Sequence, residues 1–156
     1  SDRNMIFGNE LFNYFIDMIL INSKNNIISR NFIYSTSVAG IVLVDNSQEN
    51  SVSFNIIFGC FYNIYLGFSS FNVILFNGID NSEYGIFLYN SNENLLIWNR
   101  VSLNIEGIYL FESHGNLIFR NLIAFNHIGI HLVSSIDNTL SYNMFFDNEK
   151  DILEEP

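Results

Sequence analysis

The sequence is poor in cations. Six Lys and Arg stand against sixteen Asp and Glu, giving a formal net charge of −10. That balance argues against a nucleic-acid partner, whose backbone requires clustered positive charge. It fits solubility, or cations held loosely at the surface. Cysteine is nearly absent: Cys60 stands alone, so no internal disulfide can form and an inert thiol is the plain reading. Long apolar runs are missing too. None reaches the ~18–20 residues of a membrane-spanning helix, so no membrane span is expected. No charged segment leads into an apolar one at the N-terminus, so no signal peptide is read in this chain. Charged residues are scarce at 14%, against 49% hydrophobic ones, which excludes disorder by composition. A length of 156 residues fits one domain, 1–156.

Asn, by contrast, is abundant, with 25 copies. Many of them recur on a fixed count. Asn4, Asn26, Asn50, Asn72, Asn94, Asn116 and Asn138 form one series. Asn9, Asn31, Asn55, Asn77, Asn99, Asn121 and Asn143 form a second, always five residues later. Ser1, Ser23, Ser47, Ser69, Ser91, Ser113 and Ser135 run three residues ahead of the first. The intervals are 22, 24, 22, 22, 22 and 22. A repeat this strict sets the architecture. The chain begins and ends inside a repeat, so it reads as a segment of a longer solenoid.

One repeat, residues 107 to 128, holds three short alternating stretches: Ile-Tyr-Leu, Leu-Ile-Phe and Leu-Ile-Ala. Each is too short for a helix, and alternation favours strands. Four apolar columns run through the copies, beginning at Met18, Leu20, Ile6 and Leu11, as expected of positions that face inward and stack coil on coil. A fifth column holds Asp17, Gly40, Asn63, Gly85, Gly107, Gly129 and Asp151. Gly, Asn and Asp tolerate a left-handed backbone, so one bend per coil is expected to need positive φ there. Three strands and three bends per 22 residues describe one coil of a parallel β-helix. Six to seven coils at ~4.8 Å spacing give an all-β cylinder about 30 Å long. The two Asn series become ladders of bonded amides, since Asn carries donors and acceptors. The 24-residue interval requires one extra residue between Asn31 and Gly40 and another between Gly40 and Ser47, expected as bulges. A leucine-rich repeat has a similar period but one Asn per repeat and a longer return.

At Gly-Ile-x-Leu-x-x-Ser-x-x-Asn-x-Ile-x-x-Asn-x-Ile the chain resembles the parallel β-helix repeat family. Gly85 to Val101, Gly107 to Ile123 and Gly129 to Phe145 carry the pattern best. The repeat is similar to that of NosD-type proteins and of the carbohydrate-binding and sugar-hydrolase β-helix group. The resemblance implies a right-handed coil and an extracellular or cell-surface setting. The group includes lyases, hydrolases, surface proteins and copper-site maturation factors, so fold does not choose among them.

Catalytic chemistry has little to stand on. A glycosidase needs two carboxylates roughly 5–9.5 Å apart, and no column places acids in adjacent coils. Glu83 and Glu106, one coil and one position apart, are the nearest candidate pair; two exposed acids beside a bend is the bland alternative. No cofactor is expected, and no metal site. His127, His131 and Glu149 are the nearest approach to a donor set, with Glu149 beside His127, but a zinc or copper site wants at least three convergent ligands.

What breaks the repeat's polarity is aromatic. The outward column between the two inward ones of the Gly-Ile-x-Leu strand reads Ile19, Val42, Tyr65, Phe87, Tyr109, His131 and Leu153, and the next outward position adds Tyr89 and Phe111. A contiguous exposed patch of this kind marks an interaction surface, for a sugar or for a protein; intrachain stacking is the structural alternative. The expected function is a non-catalytic β-helix scaffold whose aromatic face, carried by Tyr65, Phe87, Tyr89, Tyr109, Phe111 and His131, binds a polysaccharide or a protein partner. A β-helix polysaccharide lyase or hydrolase and a NosD-like copper-site accessory protein are the alternatives. Self-association through coil ends or the aromatic face is a further expectation, because open coil ends carry unpaired backbone groups.

Overall fold

A computed structural model describes all residues, 1–156. Its 21 strands fall into three seven-stranded sheets, each coil giving one strand to each sheet. The first sheet holds three-residue strands such as Leu95–Ile97 and the second such as Arg100–Ser102. The third holds six-residue strands such as Glu106–Phe111. Every strand pairs in parallel with its counterpart one coil away, as in Val73↔Leu95↔Leu117 and Ile86↔Ile108↔Ile130. The chain is a right-handed parallel β-helix of about seven turns.

Register puts like residues over like. The four apolar columns converge in one core of 23 buried residues running the length of the cylinder, with Ile6, Leu11, Leu140 and Phe145 packed against it at the ends. A one-residue slip would turn every inward side chain outward, so the apolar columns themselves enforce the pairing.

Polar groups line the interior at the corners, and the Asn ladders among them are satisfied. Asn99 shows the arrangement. Its backbone N–H and its Nδ2 both donate to Asn121 Oδ1, at 2.8 and 3.0 Å. Nδ2 also donates to the Ile74 carbonyl at 2.9 Å. Its own Oδ1 accepts both donors of Asn77 at 3.0 Å. Two hydrogens and two lone pairs are all occupied in a residue 1% exposed, which removes the penalty of burying an amide. Ser side chains do a similar task three residues before the first Asn series: Ser91 N donates to Ser113 Oγ at 3.0 Å, and Ser113 Oγ donates to the Phe111 carbonyl at 3.0 Å.

Left-handed residues sit immediately before each inward polar residue, at four places per coil. In one coil they are Glu93 (φ 53), Trp98 (φ 56), Leu103 (φ 60) and Glu112 (φ 48), which precede Asn94, Asn99, Asn104 and Ser113. This overturns the expectation that the Gly40, Gly85, Gly107 and Gly129 column needs positive φ. None of its members, nor Asp17, Asn63 or Asp151, is left-handed. The glycines are there for lack of space. A Cβ on Gly85 would stand 2.4 Å from the Gly107 carbonyl oxygen, and one on Gly107 2.5 Å from that of Gly129. The left-handed positions themselves carry Phe, Trp, Arg and Leu, because only a side chain pointing out to solvent is required of them.

The two additional residues of the long coil fall at corners rather than as strand bulges. Residues 35–38 span what 59–61 span in the next coil, since Tyr34 pairs with Phe58 and Ala39 with Tyr62. Asp45 and Asn46, both left-handed, stand where the next coil has Phe68 alone.

Candidate functional site

The outer face of the third sheet carries the aromatic residues. Three positions of each six-residue strand point outward, and the rings of four adjacent strands fuse into one cluster. Tyr65, Phe87, Tyr109 and His131 follow one another in column as tilted ring pairs, at centroid separations of 5.4, 4.9 and 4.9 Å. Tyr89 and Phe111 stack beside them at 5.8 Å. A further pair, Tyr62 and Tyr84, occupies the first outward position, 5.2 Å apart and each within 5.7 Å of Phe87. These two escaped the sequence reading, which began the strand one residue after the glycine column. The signal was present two positions ahead of the inward Ile64 and Ile86.

Mutual stacking leaves these rings half-buried rather than fully exposed. Their edges and hydroxyls remain open. Tyr34 is the only tyrosine whose hydroxyl hydrogen-bonds within the protein, and no tyrosine oxygen is among the buried polar atoms left without a partner. Burial, followed by nearby negative groups, pushes the phenols of Tyr62, Tyr65, Tyr84 and Tyr109 above the ordinary tyrosine value. They remain protonated donors throughout the physiological range.

The face is not flat. Toward the N-terminal coils the outward residues shrink to Ala39, Val42 and Val44, and the rings of Tyr62, Tyr65 and Tyr89 rise beside them. The step makes an apolar groove of about 590 Å³. Gly67 helps shape its wall: the Tyr65 hydroxyl lies 2.8 Å from where a Gly67 Cβ would stand, so the ring folds over the glycine along its own strand.

Charge gathers at the opposite end. His131 Nδ1 lies 3.3 Å from both carboxylate oxygens of Glu106. Both side chains are enclosed, at 12% and 15% exposure. His131 Nε2 stands 3.5 Å from Glu155 Oε2, within ion-pair range but without a hydrogen bond. Burial raises the Glu106 carboxyl above its ordinary value, and His131 draws it partly back. Glu106 is therefore not one of two exposed acids flanking a bend. Its carboxylate is committed to His131, while the Glu83 side chain makes no hydrogen bond and only its carbonyl meets Glu106, accepting the Glu106 N–H at 2.8 Å. Glu83 adds a repulsion that raises the Glu106 carboxyl further.

The imidazoles are likewise separated. His127 Nδ1 is 2.7 Å from Glu149 Oε2 on an open surface, whereas His131 turns to Glu106 and Glu155. His127, His131 and Glu149 thus do not converge. Nowhere do three His, Cys, Asp or Glu side chains gather in a form that could hold a metal ion. Cys60 is 4% exposed, and burial pushes its thiol upward.

The whole chain, residues 1–156, matches the family described as "Periplasmic copper-binding protein (NosD)". No curated protein sequence matches it. Among solved structures, a double mutant of the periplasmic alginate epimerase AlgG superposes with a TM-score of 0.82 at 23% identity, over 92% of this chain and 34% of AlgG. The A-module of the mannuronan C-5 epimerase AlgE4 of Azotobacter vinelandii gives 0.65 at 13% identity, over 97% of this chain and 54% of the module. XylC in complex with xylose gives 0.64 at 18% identity, over 72% of this chain and 19% of XylC. At these identities the likeness is one of fold. The chain spans about a third of the length of AlgG. Copper favours convergent imidazole and sulfur donors; the dispersed His114, His127 and His131, the enclosed Cys60, and Met5 and Met144 in the first and last coils do not fit such a centre.

Proposed function

The chain belongs to the NosD family, and from that premise we propose that it is a non-catalytic β-helix scaffold whose third sheet binds a carbohydrate chain. The observation that carries this reading is the continuous aromatic surface of Tyr62, Tyr65, Tyr84, Phe87 and Tyr109, with protonated hydroxyls unclaimed by the protein. Ring faces suit the C–H faces of a sugar, and phenol donors suit its hydroxyl edges. The groove beside Ala39 and Val42 gives a sugar chain a direction, along the helix axis and across successive coils. Glu83, Glu106 and Glu155 border the surface, so a neutral saccharide is the favoured ligand here. Carbohydrate-active proteins among the fold's relatives add to the case, and the periplasmic setting named in the family's description supports a location outside the cytoplasm. We assign residues 1–156 to a single β-helix domain.

The test is calorimetric titration with neutral hexasaccharides, cellohexaose and xylohexaose. Binding should weaken about tenfold in Phe87→Ala and Tyr109→Ala, the loss expected of one stacking partner. Silence across the panel, or binding unchanged by Tyr109→Ala, would sink the proposal.

A further inference from the structure

Two of the chain's four arginines share a second groove, on the far side of the first Asn-lined corners from the aromatic sheet. Trp98, Arg120 and Tyr142 are successive members of one left-handed corner column. Arg100, Leu122 and Met144 are the outward residues that begin the neighbouring strands of the second sheet. Together they line a cavity of about 380 Å³.

Two features bear on what this groove can hold. The Arg120 guanidinium is held between rings, 5.1 Å from Trp98, 4.9 Å from Phe119 and 5.9 Å from Tyr142. Cation–π contact fixes the plane of the group without occupying its N–H donors. Neither arginine has a carboxylate within ion-pair distance, which holds for every Lys and Arg of the chain, since each ion pair in the protein involves a histidine. That is an unexpected arrangement at a net charge of −10, where sixteen acids were available to neutralise six cations. The groove is lined by two unpaired guanidinium side chains beside a flat indole, in a chain whose net charge is −10.

We infer that this groove is an anion-selective sugar subsite, taking the carboxylate of an acidic saccharide on Arg100 and Arg120 while the sugar ring lies against Trp98. A guanidinium fork matches a carboxylate in two parallel hydrogen bonds, and the indole supplies the apolar plane that a simple inorganic anion would not need. This site is independent of the third-sheet face, which has no arginine and borders acids.

Trp98 is the sole tryptophan, so its emission reports this groove and no other. Titration of the full chain with hexagalacturonate should change Trp98 fluorescence with an affinity that falls as salt is added, whereas cellohexaose should leave the emission unchanged. Arg120→Ala and Arg100→Ala should each weaken the response about tenfold. Arg120→Lys should fall with the alanine variant, because lysine keeps the charge but loses the planar fork. Unchanged circular dichroism confirms that each variant is folded. Equal response to acidic and neutral hexasaccharides, no response to either, or undiminished binding in Arg100→Ala would overturn the assignment. A calorimetric signal with cellohexaose, together with no change of Trp98 emission on adding hexagalacturonate, would leave the third-sheet proposal standing alone.

Discussion

The third corner of the coil is built in two ways along the same chain. In the C-terminal half an inward Asn fills it: Asn104, Asn126 and Asn148, each side-chain oxygen accepting from the preceding coil, as Asn126 Oδ1 does from Asn104 N and Nδ2 at 3.0 and 3.1 Å. In the N-terminal half the same position holds Thr36, Cys60 and Ser82. The glycine column changes in step. Gly85, Gly107 and Gly129 stand beside Asn104, Asn126 and Asn148, with virtual Cβ atoms 3.0, 3.2 and 3.4 Å from those side chains. Where the corner holds the smaller Ser82, the neighbouring position is Asn63, whose Nδ2 donates to the Asp80 carbonyl at 2.9 Å. Where it holds Thr36, the neighbour is Asp17, bonded to the Thr36 hydroxyl. In these corners one amide or carboxyl is supplied from either of two columns; the corner of Cys60, beside Gly40, has neither. The space is conserved from coil to coil, and the residue that fills it is not.

The exchange is not equally good everywhere. Asp17 retains one buried carboxylate oxygen with no partner, and burial raises its carboxyl above the ordinary value. The corner that holds Asn in successive coils has no such orphan. Identical residues stacked at one spacing satisfy each other automatically, whereas mixed residues must be fitted one at a time.

The largest effect is expected where the comparison is sharpest. Gly107→Ala should cost about 3 kcal/mol or more, because its Cβ meets both the Gly129 carbonyl and the Asn126 amide; urea unfolding followed by circular dichroism measures it. A cost under ~0.5 kcal/mol would mean that the column is not closed to a methyl group. The exchange itself is tested by a double-mutant cycle. Asn63→Gly strips the Asp80 carbonyl of its donor, and Ser82→Asn overfills the corner. Together they recreate the Gly85 and Asn104 arrangement, so the pair should be less destabilising than the sum by about 1 kcal/mol or more. Additive costs would show that the two columns do not share one space.

The smallest effect lies outside the corner, at Glu106. Its folded carboxyl takes up a proton more readily than the unfolded one, because burial raises it. The folded state therefore binds more protons across the interval between the two values, and stability falls as pH rises through it. Glu106→Gln should flatten that part of the profile in thermal melts from acidic to neutral pH, and a profile unchanged in slope would refute the assignment.

The fold was legible because its signal is repeated in every coil. Apolar columns at one period admit one architecture, and a single deviant residue does not obscure them. The third corner was harder to read. Its Asn appears in three coils only, and the alternatives shift the polar group by a few residues into another column, where counting alone finds no series. The glycine column was visible and was assigned the wrong cause. Left-handed propensity and lack of room both select glycine, and sequence does not separate them. The true left-handed positions carry residues such as Phe76, Trp98 and Leu103, whose propensities point elsewhere. Each pays a local steric cost of roughly 1–2 kcal/mol that is offset by the stacked register on either side. The aromatic face was read in outline from Tyr65, Phe87, Tyr89, Tyr109 and Phe111. Tyr62, Tyr84, the groove and the Glu106–His131 contact were not.

By itself the sequence determined the period, the inward apolar columns and the parallel stacking, since those follow from the spacing of like residues along one coil. The tertiary structure decided which neighbours meet between columns: Glu106 with His131 rather than Glu83, Arg120 between Trp98 and Tyr142, Asn63 in place of a corner Asn. Contacts along a column are fixed by period, but contacts across columns depend on how each corner turns, and that turn is set only when the coils are packed.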